Sequence, residues 1–261
     1  MILTPRWVPD FSVNVAAGVT VAAAVTLLGY LSVRARRLWQ HRAFDAFWGS
    51  RAREGGERFC VVAGVYADPR PPAGNRYVKT YSSGGKQLLI GASEVGSVAE
   101  ARGAGYLTHA VSEHRHALPV IDSDERLRGP WDGTFVCLGS GHSNEKTLTI
   151  LNLAENTYCD LAFTPGGLPA IRTKWDGNLY PIQQQPLRDR AMIVKMPNPW
   201  REGHSLVVCA GLAEQGTSGA AYFLAQNWRQ LHRRYGSKPF GVVIEVDWNS
   251  DQTARPIAYS P

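Results

Sequence analysis

Two loops rich in glycine and hydroxyl side chains each lie between an apolar run and a helix-like segment. The first is part of FVCLGSGHSNEKTLTIL (135–151), and the second is part of LVVCAGLAEQGTSGAAYFL (206–224). Where a helix begins, its backbone N–H groups are free and its dipole is positive, so such loops can bind a phosphate or a carboxylate. We therefore expect the two loops to bracket one anionic, nucleotide-like ligand.

In this hypothesis the ligand is held by backbone amides, hydroxyl groups and one ammonium group. The amides of 141–144 and 216–218 hold phosphates, and Lys146 neutralises charge. The helices are expected to begin at Thr147 and near Thr217. The candidate ligand-binding residues are Gly139, Ser140, Gly141, His142, Ser143, Asn144, Lys146, Thr147, Gly211, Glu214, Gly216, Thr217 and Ser218.

Neither loop satisfies a named nucleotide fingerprint in full. A Walker A loop has glycine directly before its Lys-Ser/Thr pair, whereas Glu145 precedes Lys146 here. The dinucleotide pattern GxGxxG is met by Gly139 and Gly141 but has Asn144 in the third place, with Asp160 as the acidic residue expected further on. The alternative interpretation is that both loops are tight strand-to-helix turns with good N-caps.

Three glutamates follow predicted strands and offer a second kind of chemistry. An enzyme that cleaves an N-glycosidic bond, such as an NAD glycohydrolase, needs a carboxylate that acts as nucleophile or stabilises an oxocarbenium ion. The candidates for that role are Glu94, Glu145 and Glu214. Because carboxylates are common at helix starts for electrostatic reasons alone, we expect a binding protein rather than an enzyme.

Metal and thiol chemistry are not indicated by the spacing of histidines and cysteines. Three histidines lie in the segment THAVSEHRHALP, where the polar surroundings favour a solvated helix end; they are His109, His114 and His116. The cysteines lie in or beside apolar runs without a CxxC pair, which is typical of buried free thiols; they are Cys60, Cys137, Cys159 and Cys209. We therefore expect no metal site.

Short apolar runs alternate with helical segments through most of the chain. Strands are predicted over 57–67, 86–92, 133–141, 191–196, 205–211 and 240–248. Helices are predicted over 94–116, 146–156 and 217–236. Antiparallel strands with a hairpin at Asp176-Gly177 are predicted over 158–182. This alternation predicts an α/β domain over 54–261, with a Rossmann-like, mainly parallel sheet.

Residues 11–33 contain no charged side chain and are long enough for a single transmembrane helix. Basic residues rather than a cleavage site follow this segment, which argues against a signal peptide. Arginines at 34, 36, 37 and 42 outweigh Arg6, so the positive-inside rule places the α/β domain in the cytoplasm, at the inner (cell) membrane. The helix is expected to continue as an amphipathic juxtamembrane stretch, with Leu38, Phe44, Phe47 and Trp48 on its apolar side, and to end at Gly55-Gly56. Residues 1–53 thus form the membrane segment.

The net charge of +6 is concentrated beside this segment. The first 53 residues carry seven arginines and two aspartates, which leaves +1 for 54–261. A nucleic-acid-binding domain would carry a basic stripe, so we expect no nucleic-acid partner. The small residues of the span allow close helix packing, which favours a homo-oligomer.

The chain combines a single span, a basic linker and the loops GSGHSNEKT and GLAEQGTSGAA. In these features it resembles membrane-tethered bacterial effectors of antiphage defence, which sense a nucleotide signal through a SLOG-type, Rossmann-like domain. The resemblance implies a nucleotide or cyclic oligonucleotide ligand, or an NAD or ADP-ribose derivative. It also implies that the ligand drives assembly or rearrangement of the membrane helices. A remaining alternative is a protein-interaction scaffold without any small ligand.

Overall fold

The chain divides into two units, Met1–Ala43 and Phe44–Pro261, which are described separately. The computed structural model describes residues 8–49, 59–64, 77–83, 86–92, 97–113, 119–124, 133–141, 143–184 and 187–261. The predicted boundary at 53/54 lies outside these residues.

Helix α1 (Val8–Trp48) contains the predicted span. It is long and apolar enough to cross a membrane, and no residue of its most apolar window is buried. It ends earlier than expected. Gly49 adopts a left-handed φ of 114°, and its amide donates to the carbonyl of Asp45, which closes the last turn. The predicted stop at Gly55-Gly56 is therefore wrong.

Thirteen strands and three further α-helices lie in the described part of the second unit. In chain order they are β1 (Phe59–Ala63), β2 (Tyr77–Ser83), β3 (Lys86–Ala92), α2 (Val98–Ser112), β4 (Val120–Ser123), β5 (Thr134–Leu138), α3 (Glu145–Leu151), β6 (Cys159–Phe163), β7 (Pro169–Thr173), β8 (Leu179–Pro181), β9 (Gln183–Gln184), β10 (Leu187–Pro197), β11 (Ser205–Gly211), α4 (Glu214–Tyr235), β12 (Phe240–Asp247) and β13 (Arg255–Tyr259).

The central sheet has the order β13-β12-β10-β11-β5-β1-β4, with β9 paired to β10. Strands β11, β5, β1 and β4 are parallel, and β10 is antiparallel to both β11 and β12. Six strands, including β12 and the short β9, thus end at the same edge, which we call the carboxyl edge. The opposite one is the amino edge. This arrangement confirms the prediction of an α/β unit with a largely parallel central sheet.

Some strands differ from the prediction. The segment 86–92 was expected in the central sheet but pairs with β2 in a separate two-stranded sheet. Strands β4 and β13 were not predicted because neither has a buried apolar pattern. Val120 and Ile121 of β4 are exposed, and β13 contains Pro256 beside a bulge at Ile257. The antiparallel strands β6 to β8 and the turn at Asp176-Gly177 are confirmed.

Different helices pack on the two faces of the central sheet. Strands β5 and β11 are buried throughout, as expected for strands covered on both sides. Ile150 and Leu151 of α3 pack with Cys137 and Val208 on one face. Helices α2 and α4 cover the other face, where Gly103 lies close to Leu138 and to Ala221. All four cysteines are buried and free.

The last turn of α1 is part of the core of the second unit. Phe44 and Phe47 contact Trp228 of α4, with ring centroids 5.3 and 6.0 Å apart. Phe47 also stacks on Phe240 at 5.9 Å, and the Trp48 carbonyl accepts from the Thr134 hydroxyl at 2.9 Å. Because these partners include the first residues of β5 and β12, this segment lies at the amino edge.

Replacing Phe47 should show how much this packing stabilises the fold. Phe47 is 0% exposed, so Phe47→Ala should lower the free energy of unfolding by about 3–5 kcal/mol. Phe163 is a matched control because it is 66% exposed, and Phe163→Ala should change stability by less than about 0.5 kcal/mol. Chemical denaturation of the full chain in detergent measures both. Equal losses would contradict the assignment of Phe47 to the core.

Candidate functional site

The two glycine and hydroxyl loops meet at a cavity of about 150 Å³ at the carboxyl edge. The loop from β5 to α3, the loop from β11 to α4 and the start of α2 form its walls. The described residues that line it are Ser97, Glu100, Ser140, Ser143, Gly211, Leu212, Ala213, Glu214 and Thr217. Two carboxyl groups and four hydroxyl groups therefore face one small space.

Close backbone approach shapes this site. A Cβ on Gly139, whose φ is +98°, would collide with the side chains of Glu100 and Ser143. A Cβ on Gly64, directly after β1, would collide with the carbonyl of Ser143. The absence of side chains at Gly64 and Gly139 thus lets α2, the end of β1 and the β5–α3 loop pack together.

Glu100 is the most unusual titratable group of the cavity. Its side chain is buried, with the residue only 2% exposed, and one carboxyl oxygen accepts from the Gly64 amide at 2.7 Å. Burial raises the pKa of this carboxyl to about 7; the hydrogen bonds from Gly64 and Ser143 oppose the shift, and the charges of Asp124 and Glu214 add to it. Near neutral pH the group therefore exists in both protonation states.

Three described amides between β5 and α3 already have acceptors within the protein. Those of Ser143 and Asn144 donate to the carbonyl of Ser140 at 3.0 and 2.9 Å. The Asn144 side chain caps α3 by accepting from the Thr147 amide at 3.0 Å, and the Glu145 amide donates to Asp124 at 2.8 Å. This part of the loop has the geometry of a well-capped turn.

Two amides at the start of α4 are likewise bonded within the protein. The buried carboxylate of Asp189 accepts from the amide of Ala213 at 3.1 Å and from that of Gly216 at 2.5 Å. The Thr217 hydroxyl oxygen accepts from the Gly211 amide at 3.1 Å. Asp189 thus occupies the position at this helix start where the sequence pattern predicts a ligand phosphate.

A buried aspartate holds together the two helices that begin at the cavity. Asp251 is 4% exposed and accepts hydrogen bonds from Tyr106 of α2 and from Gln215 and Ser218 of α4. Its carboxylate also lies 3.4 Å from the guanidinium of Arg102. This cluster fixes α2 against α4 beside the cavity.

The candidate residues from the sequence occupy different places. Those that line the cavity are Ser140, Ser143, Gly211, Glu214 and Thr217. The other described candidates do not line the cavity; they are Gly139, Gly141, Asn144, Lys146, Thr147, Gly216 and Ser218. Glu145 is exposed at the first position of α3. His142 and Glu94 lie outside the described residues. Both helices begin earlier than expected, at Glu145 and Glu214.

Sequence reasoning missed Ser97, Glu100, Asp189 and Asp251. The first two carry a signal, because Ser97-x-x-Glu100 matches the capping box that marks a helix start. Ser97 does accept from the Ala99 amide at 3.1 Å, but Glu100 accepts from the amide of Gly64, directly after β1, instead of from the cap residue. Asp189 and Asp251 act on elements distant in sequence, so no local pattern identifies them.

Hydroxyl donors and carboxyl groups around a small cavity suit a polar, hydroxyl-bearing ligand or general acid chemistry by Glu100. Among the described residues, no group of three or more His, Cys, Asp or Glu side chains is arranged to hold a metal ion. Comparisons of the chain with protein-family models, with curated proteins and with solved structures found no match.

Glu100 should make the stability of the fold depend on pH. Its pKa is raised from 4.5 to about 7 on folding, so the protonated carboxyl stabilises the folded state below pH 4.5, and this contribution is lost as the pH rises through 7. Relative to Glu100→Gln, which does not titrate, the wild type should lose up to about 3 kcal/mol over this range. Denaturation of the full chain at a series of pH values measures the difference.

Burial also raises the pKa of Asp189, to about 6, so Asp189 lowers stability with rising pH in the wild type and in Glu100→Gln alike. The comparison with Glu100→Gln removes that shared contribution. Parallel stability curves for wild type and variant would contradict the assignment of a raised pKa to Glu100.

Two glycines give opposite predictions for the same substitution. Gly64→Ala should destabilise the fold by about 3 kcal/mol, because the new Cβ meets the backbone of Ser143. Gly105 lies in the middle of α2, where a Cβ would have no atom within 4 Å, so Gly105→Ala should stabilise by about 0.5–1 kcal/mol. Thermal unfolding in detergent measures both. A neutral Gly64→Ala variant would rule out the close approach.

Proposed function

We propose that this chain is a membrane-anchored sensor whose Rossmann-like cytoplasmic unit binds a nucleotide-like small molecule in the carboxyl-edge cavity. The single observation that carries the proposal is the meeting of the two loops, 139–147 and 211–218, at one cavity. In α/β proteins with parallel strands, ligands bind at this edge of the sheet. The length of α1 and the arginines that follow the apolar stretch support a single membrane crossing.

Helix α4 provides a physical route from the cavity to the membrane segment. Its first residue, Glu214, lines the cavity, and it continues for 22 residues, about 33 Å of helix. Further along, Trp228 contacts Phe44 and Phe47, which continue directly into the rest of α1. A ligand that binds one position of α4 better than another would therefore shift the last turn of α1. Such a shift would change how the membrane helices of several copies assemble.

A ligand screen tests the sensor proposal. The full chain in detergent is examined by thermal shift and isothermal titration with NAD, ADP-ribose and cyclic oligonucleotides. At least one should bind and stabilise the fold, by about 2.7 kcal/mol at a concentration one hundred times its Kd. Glu214→Gln should weaken that binding by about tenfold or more. Glu155→Gln, an exposed glutamate outside the cavity lining, should leave it unchanged.

Two results would contradict the sensor proposal. The first is no stabilisation by any nucleotide, which is also what a pure protein-interaction scaffold would show. The second is binding that Glu214→Gln and Glu155→Gln affect equally, which would place the ligand elsewhere on the protein.

A second candidate function is cleavage of an N-glycosidic bond in the same cavity. It is favoured by one observation: Glu100, with its pKa of about 7, and Glu214 line one space. Protonated Glu100 would give its proton to the departing base while the C–N bond breaks, and Glu214 would stabilise the positive sugar and then deprotonate the attacking water. Glu145 and Glu94 have no part in this assignment.

Product analysis separates the two candidates. The full chain is incubated with NAD and nucleotides, and released base is measured by chromatography. An enzyme would release base, and Glu100→Gln would abolish that release, whereas a sensor leaves the bound nucleotide intact. We expect no release above that of a heat-denatured control.

A further inference from the structure

The size of the cavity limits which part of a nucleotide it can hold. Sites that enclose a drug-sized ligand have volumes of about 300–1,000 Å³. The cavity here is about 150 Å³. It is therefore large enough for one fragment of a nucleotide, such as its base, its sugar ring or one phosphate, but too small for the whole molecule.

The charges of the cavity oppose a phosphate. Glu100 and Glu214 both contribute carboxyl groups, and Asp124 lies near enough to Glu100 to raise its pKa. The described residues that line the cavity include no lysine or arginine. Bringing a phosphate beside these carboxyl groups would add like charges in a partly enclosed space, where their repulsion is strong.

Three of the backbone amides that were expected to hold a phosphate are already bonded within the protein. The Gly216 amide is bonded to Asp189, and the Ser143 and Asn144 amides are bonded to Ser140. A phosphate at any of these three amides would have to displace a hydrogen bond formed within the protein. These amides are therefore poorly placed to bind a phosphate.

The remaining hydrogen-bonding capacity suits neighbouring hydroxyl groups. The oxygens of Ser97 and Thr217 accept from the Ala99 and Gly211 amides, which leaves each hydroxyl proton for another acceptor. The carboxylate of Glu214 accepts only. A sugar hydroxyl both donates and accepts, so one hydroxyl can bond to a carboxylate while it receives a proton from Ser97 or Thr217.

We propose that the cavity binds the ribose of the ligand through its vicinal hydroxyls, with Glu214 as acceptor and Ser97 and Thr217 as donors, and that the phosphates lie outside the cavity. This inference rests on the proposed function, namely that the ligand is nucleotide-like. It adds a chemical selectivity: the site distinguishes ribonucleotides from their deoxy counterparts and has no affinity for phosphate alone.

The test compares pairs of ligands that differ in one hydroxyl. The full chain in detergent is titrated with NAD and with ADP-ribose, whose ribose rings carry free vicinal hydroxyls, and with counterparts in which one ribose lacks its 2′-hydroxyl. Loss of that hydroxyl should weaken binding by at least about tenfold, because Glu214 is left without its donor. Inorganic pyrophosphate at millimolar concentration should not compete. In Glu214→Gln the ratio between ribose and deoxyribose ligands should fall, and in Glu155→Gln it should stay as in the wild type.

The outcomes distinguish the two proposals. Equal binding of ribose and deoxyribose ligands, or competition by pyrophosphate, would overturn the ribose assignment while the nucleotide-sensor proposal stands. Binding of no nucleotide at all would overturn both. Thr217→Val provides a second variant, and a ribose preference that neither Thr217→Val nor Glu214→Gln lowers would also overturn the assignment.

Discussion

The hydrogen bond from the Gly64 amide to the Glu100 carboxyl joins the elements on which the cavity depends. It ties the end of β1 to the first turn of α2, and Ser143 of the β5–α3 loop bonds to the same carboxyl. The close approach requires glycine at 64 and 139. Because the carboxyl is buried, holding it there costs free energy when it is charged, and this cost accounts for its raised pKa. The same side chain thus supports the fold and changes its protonation state near neutral pH.

Two further buried carboxylates fix α4, the helix that connects both ends of the unit. Asp189 satisfies the amides at its start, and Asp251 holds it against α2. At the amino edge its Trp228 packs on the last turn of α1. The helix dipole favours a carboxylate at the start of a helix. A buried polar group is tolerated when it is fully hydrogen-bonded, whereas an unpaired one would destabilise the fold. Helix α4 is therefore held by neighbouring elements along its length. A shift of its first turn would change the contacts that Trp228 makes with the last turn of α1.

Local patterns predicted the parts of this structure that depend on local forces. Apolar runs such as 205–211 became buried strands, and the two glycine loops were placed at one edge by the parallel order of their strands. What escaped prediction depends on contacts between distant residues. Glu100 has the sequence context of a capping residue but bonds to Gly64, directly after β1, and Asp189 caps a helix that begins 25 positions later. Strand 86–92 was assigned to the wrong sheet because its pattern carries no information about its partner.

The central claim, that a nucleotide occupies the carboxyl-edge cavity and acts through α4 on the base of α1, is tested most directly by hydrogen exchange. The full chain in detergent is compared with and without the nucleotide that gives the largest thermal shift, or with saturating ADP-ribose. The account predicts slower exchange in peptides that cover 97–100, 139–144 and 211–217, together with a change at 44–48. Protection confined to other segments, or no change in any of these peptides, would contradict it.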